Sequence, residues 1–159
     1  MEATIRPLVP EDEEWVVEFI DRRWGSPYVV AHGKLYYPHT LPGFVAEAGG
    51  EPVGLLTYHV DGDDWEIVTI DSVEPGAGIG SDLIYRLRQA ATEAGVRRLW
   101  LITTNDNLNA LRFYQKRGFT LVAVYPNALE RSRQLKPSIP LVGEDGIPLR
   151  DEIELEMLL

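Results

Sequence analysis

Residues 75 to 83, PGAGIGSDL, place Gly76, Gly78 and Gly80 between a run that reads as a β-strand and one that reads as a helix. A helix N-terminus offers unpaired N–H groups and the positive end of its dipole. Glycines ahead of it let phosphate oxygens reach bare backbone. The same glycines would also serve a corner that is merely tight, and the spacing alone does not choose between the two. Two acids, Glu66 and Asp71, stand on the preceding run, WEIVTIDSV. A carboxylate within reach of an ammonium can take its proton. On a regular strand this pair, five positions apart, falls on opposite faces. Further on, the pattern Asn107-x-x-Ala110-x-x-x-Tyr114-x-x-x-Gly118-Phe119 carries a side-chain amide and a phenol along one helix.

GAGIGS nearly spells the dinucleotide-binding fingerprint. That fingerprint belongs on the first strand of a βαβ unit, with an acid near the end of the next strand. Here the corner lies mid-chain, after an antiparallel-looking meander, and the following strand ends in Thr103-Thr104. A nucleotide-binding module of that kind survives only with a wholly parallel sheet. No Gly-Lys-Ser/Thr follows the glycines, which removes a Walker loop.

These residues need a scaffold, and the hydrophobic pattern supplies one. TIRPL reads as a short strand. PEDEEWVVEFIDRRW reads as a helix, with acids in its first turn, Arg22 and Arg23 in its last, and Trp15, Val16, Phe19 and Ile20 on one face. GFVAEAGG and EPVGLLTYHV flank Gly49-Gly50 as a β-hairpin, and DGDD turns into the third strand. Ser81 to Ala94 forms a helix stopped by Gly95, RRLWLITT a continuous apolar strand of the kind that helices cover, and NDNLNALRFYQKRG a second helix closed by Gly118. FTLVAVY and IELEMLL are strands, separated by a short helix and a Pro/Gly-rich loop whose return to a clean strand indicates an ordered flap. GSPYVVAHGKLYYPHTLP has only weak periodicity. The expectation is one α/β domain over residues 1–159.

Composition narrows the function. The chain of 159 residues has ordinary apolar and charged fractions and no cysteine, which excludes disulfides and a Cys acyl-enzyme. A net charge of -10 argues against a nucleic-acid binder and mildly favours cationic small partners. Three histidines without close pairing make a metal site an unfavoured reading. The apolar runs are too short for a membrane span and the N-terminus has no signal-peptide shape, so the expected location is cytoplasmic.

The strand, the Gly-x-Gly corner with its helix, the apolar strand and the Asn/Ala/Tyr/Gly-Phe helix together resemble the GNAT superfamily of acyl-CoA-dependent N-acetyltransferases, over roughly residues 64 to 125. The resemblance implies a mixed, mostly antiparallel central sheet, splayed between the fourth and fifth strands, with helices on both faces. It implies acetyl-CoA as co-substrate and no metal. The amides of Gly76, Ala77, Gly78, Ile79, Gly80 and Ser81 would cradle the pyrophosphate of coenzyme A. Its pantetheine arm would pair with backbone near Ser72 and Val73 and with Asn107, and Tyr114 would aim its hydroxyl at the thioester sulfur. Glu66 best matches the usual base, with Asp71 as partner or alternative, and a bulge of the kind the family carries near Ile70 would bring the two acids to one side. His32, Trp24, Tyr28, Tyr36 and Tyr37 lie where the family builds its acceptor wall. One departure is Pro75, where the family usually has Arg or Gln; proline has no N–H to give to the phosphates. The activity implied is acetyl transfer to a small-molecule or peptide amine by direct attack in a ternary complex, with a homodimer allowed. The alternative is a non-catalytic acyl-CoA-binding or sensing module on the same fold.

Overall fold

The computed structural model describes residues 2–74 and 76–159; Pro75, with its missing N–H, lies outside the described residues. Seven strands form one sheet in the order β1-β4-β5-β6-β7-β9-β8. These are β1 (Thr4–Pro7), β4 (Gly43–Ala48), β5 (Glu51–Asp61), β6 (Asp64–Ser72), β7 (Arg98–Thr104), β8 (Thr120–Tyr125) and β9 (Glu152–Leu158). Every neighbouring pair is antiparallel except β6 and β7, which run parallel. A wholly parallel nucleotide-binding sheet is therefore excluded. Gly49 and Gly50, with φ of 61° and 79°, make the β4–β5 hairpin turn anticipated from their sequence.

Helices cover both faces. On one side α2 (Ile79–Glu93) and α3 (Leu108–Lys116) pack Leu83, Leu87 and Tyr114 against Leu99, Leu101 and Leu155. On the other, α1 (Glu13–Trp24) lays Val16, Phe19 and Ile20 on Leu55 of β5. Each fully buried leucine or isoleucine contributes about 1.5–3 kcal/mol of apolar burial, so both faces are firmly held. Asp12 ties the start of α1 to β1: its carboxylate accepts from Arg6 at 2.8 and 2.9 Å, from the Val9 N–H at 2.8 Å and from Trp15 Nε1 at 3.1 Å.

A second, two-stranded sheet pairs β2 (Val29–Ala31) with β3 (Lys34–Tyr36). Its turn is His32-Gly33, with φ of 42° and 73°. A tight hairpin turn needs positive φ at both central residues, normally supplied by Asn-Gly or Asp-Gly. Histidine is among the few side chains that enter this region at tolerable cost. The weak periodicity of this stretch concealed the hairpin. The segment after β8 is ordered as α4 (Ala128–Leu135) and a 3-10 turn, Glu144–Gly146. It is fastened to the end of β7: Asn105 Oδ1 accepts from the N–H groups of Arg150 and Asp151 at 3.0 and 2.9 Å, and Asp106 Oδ2 accepts from that of Glu144 at 2.9 Å.

Candidate active site

The parallel ladder between β6 and β7 covers only Asp64–Ile67 against Arg98–Leu101. Both strands continue beyond it, and a cavity of about 370 Å³ lies between them, lined by Ile70, Asp71 and Ser72 from β6 and by Leu101, Ile102 and Thr103 from β7. The ladder ends next to a bulge. In the β5–β6 register Thr57 faces Thr69 while Tyr58 faces Ile67, which leaves Val68 as the extra residue. One inserted residue shifts the alternation, so Glu66, Thr69 and Asp71 share the α1 face while Trp65, Ile67 and Ile70 share the α2 face. The bulge sits two positions before the expected Ile70 and does bring the two acids to one side. Val73 donates its N–H to the Val53 carbonyl at 2.9 Å. By strand alternation the backbone groups of Ile70 and Ser72, rather than of Val73, face the gap.

At the mouth of this gap the three glycines have two different reasons. Gly76 and Gly78 have φ of 85° and 80°, and a Cβ on either would meet nothing within 4 Å. Conformation requires them, and the backbone they leave bare is open. Gly80 is a packing glycine, since a Cβ there would come 3.0 Å from the Phe113 ring of α3. Gly78 is the N-cap of α2 and provides no side-chain cap. The amides of Ile79, Gly80 and Ser81 thus begin a helix without an intrahelical acceptor. That arrangement fits an external anion such as a pyrophosphate. A cation with no local sign in the sequence adds to it. Arg117 Nε donates to Ser81 Oγ at 2.8 Å, with the guanidinium stacked 3.9 Å from the centre of the Phe113 ring.

Deeper in the gap stand Asn107 and Tyr114. Asn107 is the N-cap of α3, its Oδ1 accepting from the Ala110 N–H at 3.1 Å, which leaves its amide nitrogen for the cavity it lines. Tyr114 is 6% exposed and packs edge-on against Phe113 and Phe119. Burial, followed by the charge of Asp71, raises its pKa well above the usual phenol value, so its hydroxyl keeps its proton. Asp71 accepts from Trp24 Nε1 at 2.9 Å and from Arg23 Nε at 3.4 Å, and burial raises its pKa.

Glu66 is 1% exposed, and both its oxygens are engaged. Tyr36 donates its hydroxyl to Oε1 at 2.7 Å, and His32 Nε2 lies 2.9 Å from Oε2. A carboxylate only accepts, so His32 carries its proton on Nε2, and in the neutral ring the Nδ1 lone pair is left free. The backbone N–H of His32 in turn donates to Glu152 Oε2 at 3.0 Å. Glu152 is 3% exposed, and burial raises its pKa. The hairpin turn thus suspends His32 between two buried acids. Its ring lies 5.3 Å from that of Trp100 and borders a second cavity, of about 540 Å³. Ile102 lines both cavities. The anticipated aromatic wall divides: Trp24 lines the first cavity and Tyr36 holds Glu66, while Tyr28 and Tyr37 pack on one another at 6.1 Å.

A parted strand pair with an anion-ready helix start at its mouth, on a mixed sheet of this order, is an acyl-CoA-type arrangement. The chain belongs to the acetyltransferase (GNAT) family, whose family model matches residues 8–119. It is 43% identical over 150 residues to the Bacillus subtilis (strain 168) protein YdhI, covering 92% of this chain and 94% of that protein. Its fold is similar to that of an IAA acetyltransferase from Bacillus cereus ATCC 14579, with TM-score 0.72 and 23% identity over 99% of this chain and 100% of the other. It is similar also to a GNAT family acetyltransferase from Elizabethkingia anophelis with acetyl-CoA bound, with TM-score 0.70 and 23% identity over 99% of each chain.

Proposed function

We propose that residues 1–159 form a single N-acetyltransferase domain, cytoplasmic in setting, that transfers the acetyl group of acetyl-CoA to an amine by direct attack in a ternary complex. The observation that carries this reading is a pair of cavities that share Ile102 as wall, one beside the open start of α2, the other beside His32. A module that only bound acyl-CoA would have no use for a histidine held by a buried carboxylate at the head of a second cavity.

Acetyl-CoA, when bound, supplies the thioester carbonyl carbon that the amine nitrogen attacks and the thiolate that leaves as the C–S bond breaks. The amides of Gly76 to Ser81, with Arg117, hold the pyrophosphate, and Ile70, Ser72 and Asn107 position the arm. Glu66 acts through His32 rather than directly, because both its oxygens are engaged. His32 Nδ1 accepts the amine proton, and Glu66 fixes the tautomer and balances the charge that develops. Asp71 anchors the end of α1 beside the gap. Tyr114 donates a hydrogen bond to the developing thiolate. Full proton transfer from it would be uphill by about 2 kcal/mol or more, since an unperturbed phenol already lies ~1.5 units above a thiol and burial widens the difference.

Acetyl-CoA binding tests the reading first. It should raise the melting temperature by mass action, and Gly78→Val should remove that shift. Valine strains a φ of 80° but meets no neighbour, so the apo protein should remain folded. A shift produced by NAD and not by acetyl-CoA would overturn the assignment.

A further inference from the structure

The cavity beside His32 carries two charges that nothing in the described chain neutralises. Glu152 is one: Oε2 accepts the backbone N–H of His32, and no described residue donates to its other oxygen. Its neighbour on the same face of β9, Glu154, differs, because Arg98 pairs with it and the Tyr125 hydroxyl donates to it at 2.7 Å. The second is Arg131 of α4. Its guanidinium lies over Gly33, where a Cβ would stand 2.7 Å from Nε. Among the described residues Arg131 has no ion-pair partner, and it does not pair with Glu152 although both line the same cavity. Trp100, Ile102 and Tyr125 supply apolar and aromatic wall to the same space.

An acceptor that was only a cation would suit Glu152 and leave Arg131 facing like charge. An acceptor that was only an anion would do the reverse. A molecule with both charges satisfies each, and a guanidinium matches a carboxylate in two parallel hydrogen bonds. Gly33 is what allows the guanidinium to sit at the hairpin tip, next to the histidine that would take the proton. We infer that the acceptor is a zwitterion, an amine that also bears a carboxylate on an apolar body, with the carboxylate on Arg131 and the ammonium between Glu152 and His32.

The inference rests on the acetyl-transfer reading, and the test keeps the two apart. Thiol release from acetyl-CoA is measured with matched pairs, phenylalanine against phenethylamine and leucine against 3-methylbutylamine. The carboxylate-bearing member of at least one pair should have the higher kcat/KM by about tenfold or more, the usual worth of a charge-assisted contact. Arg131→Met should remove most of that preference through KM, and Arg131→Lys should keep part of it. Equal rates within both pairs, or a preference that survives Arg131→Met, would overturn the inference while leaving acetyl transfer intact. Calorimetry of phenylalanine and leucine with CoA-bound protein reads the site without turnover. Binding that weakens about tenfold in Arg131→Met, with no thiol released from any of the four amines, would support the zwitterion site and defeat the acetyl-transfer reading.

Discussion

Glu66→Gln separates a base from a binding group, and the structure sets the size of the effect. Glutamine is nearly isosteric and can still accept the Tyr36 hydroxyl that Glu66 accepts at 2.7 Å. Toward His32, 2.9 Å away, it presents an N–H instead of an oxygen. With the amide oxygen kept on the Tyr36 hydroxyl, two donors would face each other, so the imidazole proton moves to Nδ1, and the lone pair that would take the amine proton is lost. The variant should therefore depend on amine that arrives already neutral. An alkyl amine with a pKa near 10.4 is neutral in about one molecule in 10³ at pH 7.4 and in about one in ten at pH 9.4. The expected fall in kcat/KM is about 10³-fold at pH 7.4, roughly 4 kcal/mol of barrier, shrinking to about tenfold at pH 9.4. Thiol release from acetyl-CoA, followed between pH 6.5 and 9.5 with a known acceptor of the native enzyme held below its KM, reads this directly. His32→Gln should give the same profile, and the double variant should be little worse than either, because the two residues act as one unit. A loss of constant size across that range would mean that Glu66 only positions the substrate. An unchanged rate would place the base elsewhere, with Asp71 next to be removed.

Tyr114→Phe should leave acetyl-CoA affinity nearly unchanged while kcat falls roughly 10- to 1,000-fold, as expected for a hydrogen bond made only to the leaving sulfur; unaltered kcat with chemistry rate-limiting would reduce Tyr114 to packing. Asp12→Asn should destabilise the fold by about 1–2 kcal/mol at pH 7, because it weakens the bonds of a buried carboxylate whose partner Arg6 is half-exposed and screened by solvent. Arg6 holds the Asp12 pKa below its ordinary carboxylate value, so its contribution is present above about pH 3.9 and lost as the pH falls through the lower folded value. Urea midpoints of native and variant protein should therefore differ at pH 7 and converge under strong acid; a constant gap would refute the linkage.

The sequence carried the stretch from β6 to α3 clearly and the acceptor side poorly. The stretches now seen as α2, β7 and α3 have strong periodicity and glycine stops, because each buries one face in a large core. The tight-corner alternative fits Gly76 and Gly78, whose φ is positive, whereas Gly80 answers to the Phe113 ring 33 positions away, a demand that local sequence does not display. The β2–β3 hairpin was hidden for a similar reason. Three-residue strands give too few alternations to register, and His-Gly stands where Asn-Gly or Asp-Gly would have announced the turn. With the hairpin hidden, His32 stood as one of several aromatics, and its pairing with Glu66 had no local sign. Arg117 and Arg131 are missed in the same way: each reads as one more cation on a helix, and only the tertiary fold sets one beside Ser81 and the other over Gly33.

The extra residue at Val68 links the two halves of the site. Before it, β6 pairs with both neighbours and Glu66 points toward the hairpin; after it, β6 stays with β5 alone and its other edge faces the gap. Without the insertion, alternation would send Asp71 to the α2 side, away from Trp24 and Arg23, which hold the end of α1 against this strand. A bulge also increases local twist and so encourages the parting of β6 from β7. One inserted residue thus accounts for two features together, a strand edge open toward the gap and Glu66 and Asp71 on one face of the sheet. Ile102, on the strand from which β6 parts, lines both cavities. A carbonyl carbon held at the end of the gap and an amine held beside His32 would approach each other across that residue.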